Sequence, residues 1–232
     1  MAQQSAKVKT RRTRNKFDEK KTSFELLPKN DRQAEYVKAL NEADQVIVFG
    51  PAGTGKTYVV STFAANEYHM KNINKIVITR PHVAVGRDVG YLPGTLEEKS
   101  APWALPVLDV LERHLGKAVV ETALKAGNIE VAPLALMRGR SFEDAFVICD
   151  EAQNITLQEI KMLVTRIGEG SKLILNGDVQ QSDLKEGDGL SKITHLAKKH
   201  MLPIPVVEFT VADIVRSDIC RLWIETFVEE GL

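Results

Sequence analysis

Residues 45–58 read QVIVFGPAGTGKTY. The first five form a continuously apolar, β-branched run, the pattern of a strand buried on both faces. The next eight, GPAGTGKT, satisfy the spacing G-x-x-x-x-G-K-[ST] at every position. Gly50, Gly53 and Gly55 let the backbone curl until its N–H groups converge on one point. Phosphate oxygens suit that point, and the positive end of a helix predicted over 55–67 adds to the attraction. Lys56 brings a full charge to the β- and γ-phosphates, and the Thr57 hydroxyl is a ligand for Mg²⁺. With Pro51, Ala52, Thr54 and Tyr58, these residues make up the expected site for ATP and Mg²⁺.

Working outward, the same pattern of apolar strand and helix repeats. Strands are predicted at Lys75–Thr79 (KIVIT), Ala145–Cys149 (AFVIC), 172–175 (KLIL) and 206–209. A helix is expected over 104–126, ending at Gly127. Another begins at Thr156, where TLQE is a capping box completed by Glu159, and runs to about Gly168. A last, amphipathic helix is expected over 212–229, with Ile214, Val215, Ile219, Leu222, Trp223 and Phe227 near one face. Continuously apolar strands separated by helices imply a parallel sheet covered on both sides, a single α/β domain.

In such a sheet, ligands sit outside the carboxyl ends of the strands. AFVIC is followed there by Asp150, expected to hold Mg²⁺, and by Glu151, placed to orient and deprotonate a water. The segment 176–183 (NGDVQQSD) follows the strand at 172–175. Gln181 is the candidate γ-phosphate sensor, since an amide can donate to a phosphate oxygen and accept from water.

Composition bounds the rest. The chain of 232 residues is 44% hydrophobic and 27% charged, as ordinary globular proteins are. It holds no run of eighteen apolar residues, so no membrane helix is expected. The N-terminus lacks the apolar core of a secretory signal, and two cysteines make no disulfide framework, so a cytoplasmic protein is expected. Residues 1–21 carry eight Lys/Arg against two acids. Because 31 basic balance 31 acidic residues overall, the remainder carries the opposite surplus. Residues 1–22 are accordingly expected to be a disordered basic arm able to contact nucleic acid, with the folded domain over 23–232.

Four stretches together resemble the PhoH-like ATPases, relatives of the first RecA-like domain of superfamily-one helicases. They are 79–111 (TRPHVAVGRDVGYLPGTLEEKSAPWALPVLDVL), 137–154 (MRGRSFEDAFVICDEAQN), the NGDVQQSDL segment and 208–219 (EFTVADIVRSDI). Asn176 stands where the family usually has Thr, Val179 and Gln180 replace a Pro-Thr pair, and Ser217 replaces a His. The resemblance implies a RecA-like P-loop NTPase fold and helicase-like action on RNA or single-stranded DNA. It makes Gln33 an adenine-reading residue, and Arg80, Arg138 and Arg140 contacts to a nucleic acid strand. It also implies a homo-oligomer, a hexameric ring in which Arg216 completes a neighbour's ATP site. Two other classes stay open at this point: a nucleotide-gated nucleic-acid-binding protein with little turnover, and a P-loop kinase.

Overall fold

The computed structural model describes residues 24–81, 96–178 and 189–230, leaving out the side chains of 96–101 and 228. The basic arm, Gln181 and much of the 79–111 signature lie outside these residues. Six strands form one sheet: β1 (Gln45–Phe49), β2 (Lys75–Thr79), β3 (Ile129–Val131), β4 (Ala145–Cys149), β5 (Lys172–Gly177) and β6 (Val206–Glu208). Every pairing is parallel, in the order β3-β2-β4-β5-β1-β6. Among the described residues seven α-helices accompany it: α1 (Asp31–Glu42), α2 (Lys56–His69), α3 (Leu96–Leu115), α4 (Lys117–Ala126), α5 (Leu157–Val164), α6 (Gly189–Lys199) and α7 (Asp218–Glu229).

Alternation along the strands divides the interior in two. Val46, Val48, Ile76, Ile78, Phe146 and Ile148 pack with α1, α2, α3 and α4 on one face. Ile47, Val77, Val147, Cys149, Leu173 and Leu175 pack with α5 and α6 on the other. All five side chains of β4 are buried. Each fully buried Val, Ile or Leu contributes about 1.5–3 kcal/mol relative to exposure, so this central strand anchors both cores.

Several elements differ from expectation. The single helix read over 104–126 is two. α3 starts earlier, at Leu96, and α4 follows Gly116, whose φ of 88° and ψ of 140° turn the chain before Lys117. The expected end at Gly127 holds, in a left-handed cap. α5 keeps its capping box but stops at Val164, short of Gly168. The helix read over 212–229 starts only at Asp218, after a short 3₁₀ turn at Val211–Asp213. Ile214 and Val215 therefore lie outside it. Ile214 is buried, whereas Ile219, Leu222, Trp223 and Phe227 are exposed. Among the described residues no helix is long and apolar enough to cross a membrane.

Candidate functional site

The strand order places the site. β5 lies between β1 and β4, so the loop after β1, the acids after β4 and the end of β5 meet at one edge of the sheet. A cleft of about 320 Å³ opens there. Its walls include Ala52, Gly53, Gly55, Lys56, Thr57 and Tyr58 from the glycine-rich loop, with Asp150 and Glu151. Asn176, Gly177 and Asp178 come from the end of β5, Pro106 and Val110 from α3, and Arg216 from the C-terminal segment.

The loop is braced from behind. Gly50 has a φ of 141°, and a Cβ there would lie 2.3 Å from the Phe209 carbonyl oxygen, so no other residue fits. Thr54 is fully buried; its hydroxyl donates to the Pro51 carbonyl at 3.0 Å. Its own carbonyl accepts from Gln33 Nε2 at 2.8 Å. The Lys56 ammonium donates to the carbonyls of Gly50 (2.6 Å) and Pro51 (2.9 Å). Burial lowers its pKa, opposed by the carboxylates of Asp178, Asp150 and Glu151. Thr57 follows at the start of α2, whose N-terminal N–H groups favour an anion.

Gln33 packs behind the loop. The residue is 4% exposed, and its Oε1 accepts from the Lys29 N–H at 2.9 Å while Nε2 donates to the Thr54 carbonyl. Both ends of the amide thereby brace the loop in this structure.

The acidic side is equally constrained. Asp150 donates its backbone N–H to the Thr79 carbonyl at 3.0 Å. Its carboxyl pKa is raised to about 6, first by burial and then by the Glu151 charge, against the opposing charges of Arg80 and Lys56. Glu151 has a φ of 54° and ψ of 38°, a left-handed conformation that an L-residue with a Cβ adopts at a cost of about 1–3 kcal/mol. Strain of this kind persists where surrounding structure enforces it. Here Gln153 donates to Glu151 Oε2 at 2.6 Å and accepts the Asp178 N–H at 2.9 Å. Gln153 thereby ties the β4 acids to the end of β5. Asn176 Nδ2 makes a second tie, donating to Thr57 Oγ1 at 3.0 Å and to Asp150 Oδ1 at 2.6 Å. Sequence reasoning assigned no role to either amide. Their signal was position, each lying within four residues of a strand end at the cleft.

The arginines separate. Arg80 follows β2 directly, and its charge favours ionised Asp150. Arg138 is exposed. The Arg140 guanidinium grips both oxygens of Glu130, which Lys75 also contacts at 2.6 Å. Arg216 lines the cleft of its own chain, and a Cβ on Gly53 would lie 2.8 Å from its Cγ. The adjoining Val215 N–H donates to the Gly53 carbonyl at 3.0 Å. The segment is thus tied to its own loop.

A solved structure of Pif1 helicase from Candida albicans aligns over 81% of this chain and 40% of its own, with a TM-score of 0.39 and 16% identity. Protein PhoH of Escherichia coli K12 is 40% identical over 84% of this chain and 56% of its own length. A PhoH-like protein of Bacillus subtilis is 44% identical over 86% and 63% respectively. The chain spans a little over half the length of these curated relatives. The model of the family described as PhoH-like protein matches residues 25–228. The glycine-rich loop, both acids and the β5 end all fall within that match, and the chain belongs to the PhoH-like family.

Proposed function

We propose that this chain is a Mg²⁺-dependent ATPase whose turnover is coupled to binding or remodelling RNA or single-stranded DNA. The observation that carries the reading is the meeting of Lys56, Thr57, Asp150 and Glu151 in one cleft at the carboxyl ends of β1 and β4. Lys56 exchanges its two loop carbonyls for phosphate oxygens when the triphosphate enters. The loop N–H groups and the start of α2 receive the remaining phosphate charge. Glu151, held by Gln153, orients the attacking water and accepts its proton.

The residues present fit Mg²⁺. Thr57 and Asp150 are joined through one amide group. Among the described residues no cluster of three His, Cys, Asp or Glu could hold a metal. A cation that takes one or two protein groups and completes its shell with water and phosphate suits such a site. When bound, Mg²⁺ neutralises phosphate charge developing in the transition state.

Arg216 is the cation for the γ-phosphate, acting in its own chain. Gln181, in the segment that follows β5, is the γ-phosphate sensor, and Tyr58 bounds the cleft beside the nucleotide. The basic arm, with Arg80 and Arg138, supplies the nucleic acid contacts, and copies of the chain assemble as a ring, hexameric by the family resemblance. The test is phosphate release with and without a panel of RNA and DNA strands. Stimulation by one class of strand supports the reading. Phosphorylation of a small acceptor would replace it with a kinase, and nucleotide binding without turnover with a gated binding protein.

A further inference from the structure

The end of β5 carries a residue whose chemistry the preceding reading does not use. Asn176 is 1% exposed. β5 is hydrogen-bonded to both the loop strand β1 and the acid-bearing strand β4. A side chain leaving its carboxyl end therefore stands between Thr57 and Asp150. Asn176 Nδ2 reaches both, at 3.0 Å to Thr57 Oγ1 and 2.6 Å to Asp150 Oδ1. An amide nitrogen has two hydrogens, and both are spent here. A hydroxyl at this position has one, and could satisfy only one of the two acceptors. The orientation of the amide follows from its neighbours: the opposite flip would set its oxygen against a carboxylate oxygen.

The other half of the amide is the second observation. Asn176 Oδ1 is buried and has no hydrogen-bond partner. A buried acceptor left unmade costs about 1–3 kcal/mol, a cost this position bears in aiming Nδ2 at both partners. Donation by Nδ2 leaves Thr57 Oγ1 a lone pair and Asp150 its second carboxylate oxygen for a divalent cation.

We propose that Asn176 is a positioning residue of the cation site, clamping the Thr57 hydroxyl and the Asp150 carboxylate as a preformed pair. The proposal rests on the Mg²⁺-ATP reading above. Its role is to set cation affinity rather than nucleotide affinity, because the amide touches the two cation ligands and the triphosphate lies against the loop.

The experiment uses the full chain, Mn²⁺ as a paramagnetic stand-in for Mg²⁺, and a non-hydrolysable ATP analogue. Free Mn²⁺ is counted by its spin-resonance signal, and nucleotide affinity in excess chelator is measured separately with a fluorescent analogue. Loss of one neutral and one charge-assisted hydrogen bond predicts Mn²⁺ binding to Asn176→Ala about 10- to 50-fold weaker. Metal-free nucleotide affinity should stay within about twofold, since a merely structural defect would lower both. Asn176→Thr, keeping one hydrogen, should fall between the two. Unchanged or tighter Mn²⁺ binding by Asn176→Ala overturns the proposal. Should the alanine variant not fold, equal Mn²⁺ affinity in Asn176→Thr and wild type overturns it instead. Absence of nucleotide-dependent Mn²⁺ binding in the wild type would overturn the broader reading, a result distinct from both.

Discussion

Glu151 is held twice over, by a left-handed backbone and by the Gln153 amide on its carboxylate. The two constraints aim one oxygen pair into the cleft and leave it few alternatives. Glu151→Gln should still bind ATP but turn over at least about a hundredfold more slowly, the scale of lost general-base catalysis. Gln153→Ala should leave the acid in place but let it swing, lowering kcat by about tenfold with KM little changed, because orientation rather than chemistry is lost. Phosphate release and binding of a fluorescent ATP analogue measure both. Normal turnover by Glu151→Gln would place the base elsewhere.

Elements show what was legible and what was not. β1, β2 and β4 were readable to the residue because each is a run of five with a buried apolar centre. β3 was not. It has three residues with Glu130 in the middle, and it exists because β2 offers it a ladder and because Arg140 and Lys75 neutralise that acid. The same acid holds Arg140, a pairing no local pattern contains. Gly116 could be read as a helix residue or a break; only the turn from α3 into α4 decides. At the site, the loop and acids announced themselves by spacing, whereas Gln153 and Asn176 act through partners 25 and 119 residues away.

The Glu130 cluster gives a pH prediction at this scale. Its carboxyl pKa falls from 4.5 to about 2, chiefly through the Arg140 hydrogen bonds. An acid depressed in the folded state contributes stability that is complete above its unfolded value and is lost as pH falls toward the folded one. Arg140→Ala should therefore cost about 1–2 kcal/mol near pH 6, after allowance for solvent screening, and much less near pH 2.5. Urea denaturation at the two pH values measures this, and an equal cost at both would deny the pairing its stabilising role.

Across the whole molecule, two features bear on assembly. Arg216 lies at its own cleft, so a mixture of Arg216→Ala and Lys56→Ala proteins should show no recovered ATPase activity, each intact site needing both residues in one chain. Recovery in mixed oligomers would return the arginine to a partner. α7 meanwhile leaves Ile219, Leu222, Trp223 and Phe227 exposed, the two rings stacked 5.6 Å apart. Contiguous apolar surface of this kind marks contact sites, and the proposed ring supplies a cover for it. Light scattering should give a hexamer-sized particle for the wild type and a smaller one for Trp223→Asp. A monomer in the presence of ATP would remove the ring.

The bracing of the glycine-rich loop has a consequence in time. The loop motif ends at residue 57, but Phe209 and Val215 hold Gly50 and Gly53 from more than 150 positions downstream. The Asn30 amide, which caps α1, likewise closes on the Asp213 carbonyl at 3.0 Å across 183 positions. Synthesis at about 5–20 residues per second separates the two halves of this clasp by roughly ten to thirty seconds. A nascent chain thus carries its phosphate motif on the ribosome long before that motif has its backing. The stretch around Phe209 and Val215 finishes an element made far earlier, and competence for nucleotide arrives only once that stretch has emerged.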